Sequence, residues 1–513
     1  MHLGHLLETL RPCQAIGAVD PTTPLFGITD NSKRVRPGFA FVARKGVNAH
    51  GKRFVDDALA NGSSCVLLED AKGIDPGGRA CLIEVVNLED RLGRIAYDFY
   101  GEPQRLLRLI GITGTNGKTT SACLIQHMLS CIGEPCAYVG TLGAKVGMAA
   151  SYEPLENTTP GIFEMAEVLN KALLAGARSV AIEVSSHALD QGRMEGLCFQ
   201  AGVFLNLSHD HLDYHRSMEA YFQAKALLFQ SYLKKGGFAG LNVDDPYGRR
   251  LFEGLTRGEK LGFGLSAKKG LSAKNITFSL RGTGFELILG EKAIKTVRIP
   301  LVGLHNVSNV LAALAVGIGL GFDPGALLSE MVRLPQIPGR LELVEPRDSG
   351  CLKPCVFVDY AHTPDAVGRV LKTLKRLGCG RLIGVLGCGG DRDPFKRPIM
   401  GKLLAEVCDV AVLTQDNPRS EDPLAILKAM EEGASTSAGR FDGKCGYICI
   451  QDRGDAIEFA LSRAFPEDTV AILGKGHEAY QLIRGVRYPF DDRLVARTVL
   501  DAYRPPDFYR PPS

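Results

Sequence analysis

Short apolar runs closed by glycine or polar clusters recur along the chain and alternate with stretches whose apolar residues repeat at helical spacing. Near the start, Phe39-Ala40-Phe41-Val42-Ala43 and Ser64-Cys65-Val66-Leu67-Leu68 read as strands, with a helical stretch Phe54 to Ala60 between them. The middle carries apolar runs over Leu109 to Ile112, Ser179 to Val184 and Gly202 to Leu207. A helix over Glu219 to Tyr232 follows, with Tyr221, Phe222, Leu228 and Phe229 apolar. Toward the end, Val356 to Val358, Leu382 to Leu386, Val410 to Thr414 and Val470 to Leu473 each run into a polar loop, with helices such as Asp365 to Leu377 between them. Apolar strands joined by helices make parallel sheets, because each crossover returns the chain to lie beside its predecessor in the same direction. The pattern therefore predicts an α/β protein of three domains: a small α/β module over 1–104, a doubly wound central sheet over 105–335 and a Rossmann-like sheet over 336–513. The length of 513 residues agrees, at roughly 150 residues per domain.

One junction carries chemistry of its own. The strand ending at Ile112 enters Thr113-Gly114-Thr115-Asn116-Gly117-Lys118-Thr119-Thr120 and then a helix, Ser121 to Ser130. This is a phosphate loop: backbone N–H groups and a helix N-terminus face phosphate oxygens, Lys118 neutralises charge and the Thr119 hydroxyl reaches Mg²⁺. Ile112 stands where the pattern G-x-x-x-x-G-K-[ST] has its first glycine, and Gly111 and Gly114 flank it, which marks a variant subfamily.

Composition narrows the class without identifying an activity. A hydrophobic content of 45%, a charged content of 23% and a net charge of +3 give no electrostatic case for nucleic acid or a membrane surface. No apolar run is long enough to span a bilayer and Met1 to His5 does not open a leader, so a cytoplasmic location is expected. The 14 cysteines form no CxxC pair and read as reduced thiols rather than a disulfide framework or a zinc site.

In doubly wound sheets ligands sit at the carboxyl ends of strands. Glu183, before Ser185-Ser186-His187, and His211, in Ser208-His209-Asp210-His211, are thereby candidate metal ligands beside the phosphate loop. Lys225, within the helix after them, reads on pattern alone as a snorkelling surface lysine. The four loops of the last region, Asp359 to His362, Gly387 to Asp393, Gln415 to Arg419 and Gly474 to Glu478, fall on one edge of a sheet and describe a second binding site. The Ser32-Lys33-Arg34 turn and the loop Gly46 to Gly51 show no chemistry by pattern, and the tail from Arg504 is proline-rich.

These motifs resemble the Mur ligase family of cell-wall precursor synthesis over nearly the whole chain. They are GITGTNGKTT, ENTTP at 156–160, EVSSHALDQGR at 183–193, DHLDYH at 210–215, YFQAKALLF at 221–229, HNVSN at 305–309, PGRLE at 338–342, DYAHTPD at 359–365, GGDRD at 389–393, DNPR at 416–419 and GKGHE at 474–478. The resemblance implies an ADP-forming ligase that joins an amino acid to a UDP-muramoyl nucleotide. DNPR with GKGHE implies the branch that adds meso-2,6-diaminopimelate to UDP-N-acetylmuramoyl-L-alanyl-D-glutamate.

Carried over residue by residue, it implies ATP at Gly114, Thr115, Asn116, Gly117, Lys118, Thr119, Thr120, Asn306, Arg340, Asp359 and His362. The UDP substrate falls to Asp30, Ser32, Asn48, Asn157, Thr158, Thr159, Ser185, Gln191 and Arg193, and diaminopimelate to Arg392, Asp416, Asn417, Pro418, Arg419, Gly474 and Glu478. Two Mg²⁺ ions are implied, one at Thr119 and one held by Glu183, His211 and Lys225, the last as a carbamate formed with CO₂; Lys118, Glu183, His211 and Lys225 are the implied catalytic set. A monomer taking only small-molecule substrates is expected, with closure of the third domain as the gate. Where the family commonly reads Asp-Ser-Arg-x-Val, this chain has Asn31-Ser32-Lys33-Arg34-Val35. The lysine-adding Mur enzymes and folylpolyglutamate ligases are the alternatives within the superfamily; a P-loop regulatory or transport ATPase is the alternative from another class.

Overall fold

The computed structural model describes residues 1–17, 19–46, 50–78, 80–148, 150–347, 352–378 and 380–506; Asn48 and the proline-rich tail from 507 onward lie outside them. The described chain forms two compact units. The first holds residues 1–273, 287–294 and 308–330, and the second holds 274–286, 295–307 and 331–513.

The first unit contains a five-stranded sheet in the order Cys13–Gly17, Cys81–Val85, Cys65–Leu68, Phe39–Val42, Gly27–Thr29, parallel apart from its first pair. It also contains the sheet that carries the phosphate loop. Its strands there run Glu259–Phe263, Leu233–Asn242, Phe199–Phe204, Arg108–Thr113, Ser179–Glu183, Cys136–Gly140, Gly143–Lys145, all parallel except the last pair. Arg108–Thr113 lies between Ser179–Glu183 and Phe199–Phe204, so the chain crosses over it and leaves a crevice at its carboxyl end. Leu3, Leu6, Leu92, Ile95 and Tyr97 of the leading module share one continuous apolar core with Phe163, Met165, Met194 and Leu197. Arg34 pairs with both Glu164 and Glu167 of the helix Ile162–Leu174, each at 2.8 Å, and Asn31 donates to Glu156 at 2.6 Å.

Packing on the phosphate-loop sheet depends on two glycines in register, Gly111 and Gly202. A Cβ at Gly111 would stand 2.9 Å from Leu228 and 3.0 Å from Phe199, and one at Gly202 would stand 2.9 Å from Phe229. The helix Met218–Gln230, which carries Leu228 and Phe229, therefore lies directly on the strands. Gly111 is a packing residue, not part of the phosphate cradle, and this accounts for its place beside Ile112.

The second unit has a sheet in the order Glu342–Val344, Cys355–Asp359, Thr469–Leu473, Leu382–Cys388, Val410–Gln415, Gly446–Cys449, parallel apart from its first pair. Alternation along the strands fills both faces: Phe357 and Ala471 pack with helices Pro364–Leu377 and Lys396–Val407, while Val356, Val358 and Ile472 pack with Arg453–Ser462 and Asp492–Asp501. Beneath the carboxyl ends lies a fully buried pair. Arg453 donates to both oxygens of Asp492 at 2.7 Å, and to the carbonyls of Leu473 at 3.0 Å and Gln415 at 3.3 Å.

Removing one member of a buried, hydrogen-bonded ion pair leaves an uncompensated charge. Asp492→Ala should lower the stability of the second unit by about 3 to 5 kcal/mol, read by denaturant unfolding, and a loss below about 1 kcal/mol would show that the pair contributes little.

Candidate active site

The phosphate loop turns through two left-handed glycines, Gly114 (φ 154°) and Gly117 (φ 88°), and the helix Lys118–Cys131 starts with no side chain capping its N-terminus. Its first N–H groups are thus available to an anion. The helix begins three residues earlier than the pattern predicts, which puts Lys118, Thr119 and Thr120 in its first turn. Lys118 Nζ donates to the carbonyls of Gly114 (2.8 Å) and Thr115 (3.0 Å), closing the loop on itself.

The loop is also stitched to the next strand end. Thr115 N–H donates to the Asn206 carbonyl at 2.9 Å, Asn116 N–H to Asn206 Oδ1 at 2.9 Å, and Asn206 Nδ2 returns a bond to the Asn116 carbonyl at 3.0 Å. Ser208 N–H donates to Thr115 Oγ1 at 3.0 Å, and Ser208 Oγ accepts from Asn116 Nδ2 at 3.3 Å. Asn206 escapes sequence reasoning because a single asparagine inside an apolar run has no motif; its position just past the strand Phe199–Phe204 is the only signal.

Glu183 is fully buried at the adjacent strand end. Its carboxylate accepts from Thr119 Oγ1 (3.1 Å), Tyr138 OH (2.5 Å), Thr141 N–H (3.0 Å) and Thr141 Oγ1 (3.1 Å). Burial, with the Glu183 charge beside it, pushes the Tyr138 phenol well up, so it stays a donor. The Thr119 hydroxyl and Glu183 carboxylate are hard oxygen donors in contact, a set that fits Mg²⁺.

Lys225 is not a snorkelling lysine. It is 1% exposed, donates to the Gly114 carbonyl at 3.0 Å and lies 4.6 Å from the centre of the Tyr221 ring. Burial, with Lys118 adding to it, holds its amine well below the usual lysine range, which favours the neutral, nucleophilic form that can attack CO₂. The periodicity of its helix misleads because the glycine floor beneath it buries the helix more deeply than a surface pattern suggests.

His211 occupies a left-handed position (φ 53°) with its ring edge-on to His187 at 4.9 Å, and partial desolvation lowers its pKa against the pull of Asp210. Among the described residues no three His, Cys, Asp or Glu side chains converge to hold a metal. The structure brings Thr119 and Glu183 together, and it places the Asp210 carboxylate 3.6 Å from His211 Nε2.

Of the residues expected at the UDP substrate, Thr159 is buried and bridges backbone: it donates to the Glu183 carbonyl at 2.7 Å and accepts from Ser185 N–H at 3.0 Å. Thr158 Oγ1 meets Thr141 Oγ1 at 3.2 Å, while Asn157 is exposed. Arg193 donates to the Thr159 carbonyl at 3.0 Å and to Gln191 at 2.6 Å. In the leading module Asp30 pairs with Arg44 at 2.6 Å and Ser32 is buried.

The remaining residues expected at ATP belong to the second unit. Asn306 donates to the Val302 carbonyl at 2.9 Å, and Arg340 lies over the Tyr360 ring at 4.9 Å. Asp359 accepts from the N–H groups of Leu341 (2.6 Å) and Ala361 (2.7 Å), and burial raises its pKa against the pull of Arg340. His362 Nδ1 is 2.8 Å from the Tyr360 carbonyl, and burial lowers its pKa.

On the same sheet's edge, Asn417 Nδ2 donates to Glu478 at 2.8 Å, and Asp416 and Pro418 are buried. Arg419, left-handed at φ 54°, donates to the Gly390 carbonyl at 2.5 Å. Among the described residues no carboxylate pairs with its guanidinium. Arg392 is exposed on the neighbouring loop, and Gly474 follows the strand Thr469–Leu473.

The sequence pattern described as the Mur ligase middle domain matches residues 112–317, and that described as the Mur ligase glutamate ligase domain matches residues 339–476. A relative from Solibacter usitatus, named UDP-N-acetylmuramoyl-L-alanyl-D-glutamate--2,6-diaminopimelate ligase, is 40% identical over 508 residues, 98% of this chain and 99% of its own. The chain belongs to the Mur ligase family. A second relative of the same name, from Xylella fastidiosa, is 41% identical over 93% of this chain and 94% of its own. A solved structure of an enzyme with that name aligns at 35% identity and a TM-score of 0.65, covering 98% of this Mur ligase and 99% of the other chain.

Asn206→Ala should weaken kcat/KM for ATP about 10- to 100-fold, because the loop loses both of its side-chain bonds to this residue. Steady-state kinetics with ATP varied would read this, and an unchanged kcat/KM would show that the loop holds its shape without Asn206.

Proposed function

We propose that this chain is an ATP-dependent, ADP-forming ligase that adds meso-2,6-diaminopimelate to UDP-N-acetylmuramoyl-L-alanyl-D-glutamate in peptidoglycan precursor synthesis. The observation that carries the reading is the polar edge at Asp416 to Arg419 and Glu478, in a chain alike from end to end with relatives of that name. Arg419, with no acidic partner among the described residues, suits a substrate carboxylate, and Asp416 and Glu478 suit an ammonium group. We assign the uridine end of the acceptor to 1–104, ATP chiefly to 105–335 and the amino acid to 336–513. Among the described residues no helix is long and apolar enough to cross a membrane. We assign the protein to the cytoplasm as a monomer that takes small soluble substrates.

A free carboxylate is a poor electrophile, so the D-glutamate γ-carboxylate oxygen first attacks the γ-phosphorus of ATP. The bond to the bridging oxygen breaks, ADP leaves, and an acyl phosphate forms. The diaminopimelate amine then attacks the acyl carbon, loses a proton, and inorganic phosphate departs. Lys118 and the loop N–H groups oppose the charge gathered on the transferring phosphoryl. Thr119 and Glu183 would hold one Mg²⁺, and Glu183, His211 and a Lys225 carbamate a second; the ions would supply charge neutralisation between anionic reactants. Arg193 and Gln191 offer hydrogen bonds to the acceptor's pyrophosphate and peptide groups.

Lys225→Ala should lose activity, and small carboxylates in the buffer should restore part of it by standing in for the carbamate, whereas Lys225→Arg should remain inactive. Full activity of Lys225→Arg in a ligation assay would exclude a carbamate.

The assay that tests the whole reading supplies ATP and the UDP-muramoyl dipeptide and compares diaminopimelate with lysine. Ligation of diaminopimelate is expected, and phosphate release without an amine substrate would instead indicate a switch or transport ATPase. Arg419→Ala should lower kcat/KM for diaminopimelate by at least about 10²-fold and change the value for lysine much less, since lysine lacks the distal carboxylate that the guanidinium would bind. Equal losses for both amino acids would assign Arg419 another role.

A further inference from the structure

The loop Gly474 to Glu478 contains a residue that this reaction leaves unused. Lys475 is fully buried. Its ammonium meets Asn417 Oδ1 at 3.1 Å, Glu478 Oε2 at 3.3 Å and the Tyr480 carbonyl at 2.5 Å, with the Asp416 carboxylate 3.8 Å away. Three N–H donors face three acceptors, so no donor is left for a ligand. Its influence passes through its neighbours.

Asn417 Oδ1 receives both Lys475 and the Leu482 N–H, the latter at 2.9 Å. The amide oxygen is thereby committed, and Nδ2 is turned to Glu478 Oε2 at 2.8 Å. Glu478 Oε2 in turn receives two donors, Lys475 and Asn417. Its other oxygen, Oε1, accepts no hydrogen bond among the described residues. The carboxylate is 20% exposed where Lys475 is 0% exposed, so it reaches the surface of the edge while the lysine stays beneath. The Lys475 ammonium thus lies near two carboxylates, 3.3 Å from Glu478 and 3.8 Å from Asp416.

We infer that Lys475 is a positioning residue for the ammonium end of the amino-acid substrate. It fixes Asn417 and Glu478 in one arrangement and leaves Glu478 Oε1 to accept from the incoming ammonium group. The inference rests on the assignment of the amino acid to this edge.

The test measures ligation by the wild type and by Lys475→Met, which keeps the length of the side chain and removes its charge and donors, varying each of the three substrates in turn. Without Lys475, kcat/KM for diaminopimelate should fall about 10- to 100-fold, carried mainly by KM, as for loss of hydrogen bonds to charged groups. KM for ATP and for the UDP-muramoyl dipeptide should stay within about threefold. Lys475→Gln, which keeps donors but not charge, should fall between the two proteins, and it supplies the same reading if the Met variant does not fold by circular dichroism. A wild type that ligates no diaminopimelate overturns the assigned function. A wild type that does, paired with folded variants whose losses are equal for all three substrates, or confined to kcat, overturns the positioning role alone.

Discussion

Two glycines side by side on neighbouring strands set the distance on which the phosphate-loop crevice depends. Protein interiors are close-packed, and a methyl group at either position would press on the Leu228, Phe199 or Phe229 side chains. With Gly111 and Gly202 bare, the helix Met218–Gln230 settles onto the sheet and delivers Lys225 to the carbonyl of Gly114. The same approach strips Lys225 of water and weakens its hold on a proton. Backbone geometry, packing and acid–base chemistry are here one constraint: a helix resting on bare glycines makes Lys225 a buried amine beside a phosphate loop.

Saturation of polar groups separates the residues that build the site from those left for ligands. Thr159 has both its donor and its acceptor taken up by backbone, and Asn206 binds the loop from both ends of its amide. These groups give the crevice its shape. Arg419 and one oxygen of Glu478 keep capacity to spare on the edge we propose for the amino acid. The charge there is what a zwitterionic amino acid complements at each end.

Most of the architecture was legible in the chain because each strand ends where its apolar run meets polar residues, and the order of strands and helices leaves few topologies. The strand ends at Glu183, Asp359, Asp416 and Gly474 came through directly. Contacts made across the sheets did not. Pattern alone makes Lys225 a surface lysine because its burial depends on glycines more than a hundred positions earlier and some twenty positions earlier in the chain. Asn206, Tyr138 and Thr141 were missed because their role is a hydrogen bond to a residue distant in sequence, which leaves no periodicity and no spacing. The start of the phosphate-loop helix was placed late because Lys118 and Thr119 read as loop chemistry, although they form its first turn.

The clamp between Arg34 and the two glutamates of the helix Ile162–Leu174 bears on modularity. Glu164 and Glu167 lie one turn apart, and burial already raises the pKa of Glu164. Arg34 pairs with both, Lys171 also pairs with Glu167 at 3.2 Å, and the apolar core runs unbroken from Leu92 and Tyr97 to Met194. The leading module is consequently no exchangeable cassette. Cutting the chain near residue 104 would expose a core face and take from Glu164 and Glu167 the guanidinium they share, so recombination among relatives would have to carry the turn at Arg34 and the helix at Glu164 together.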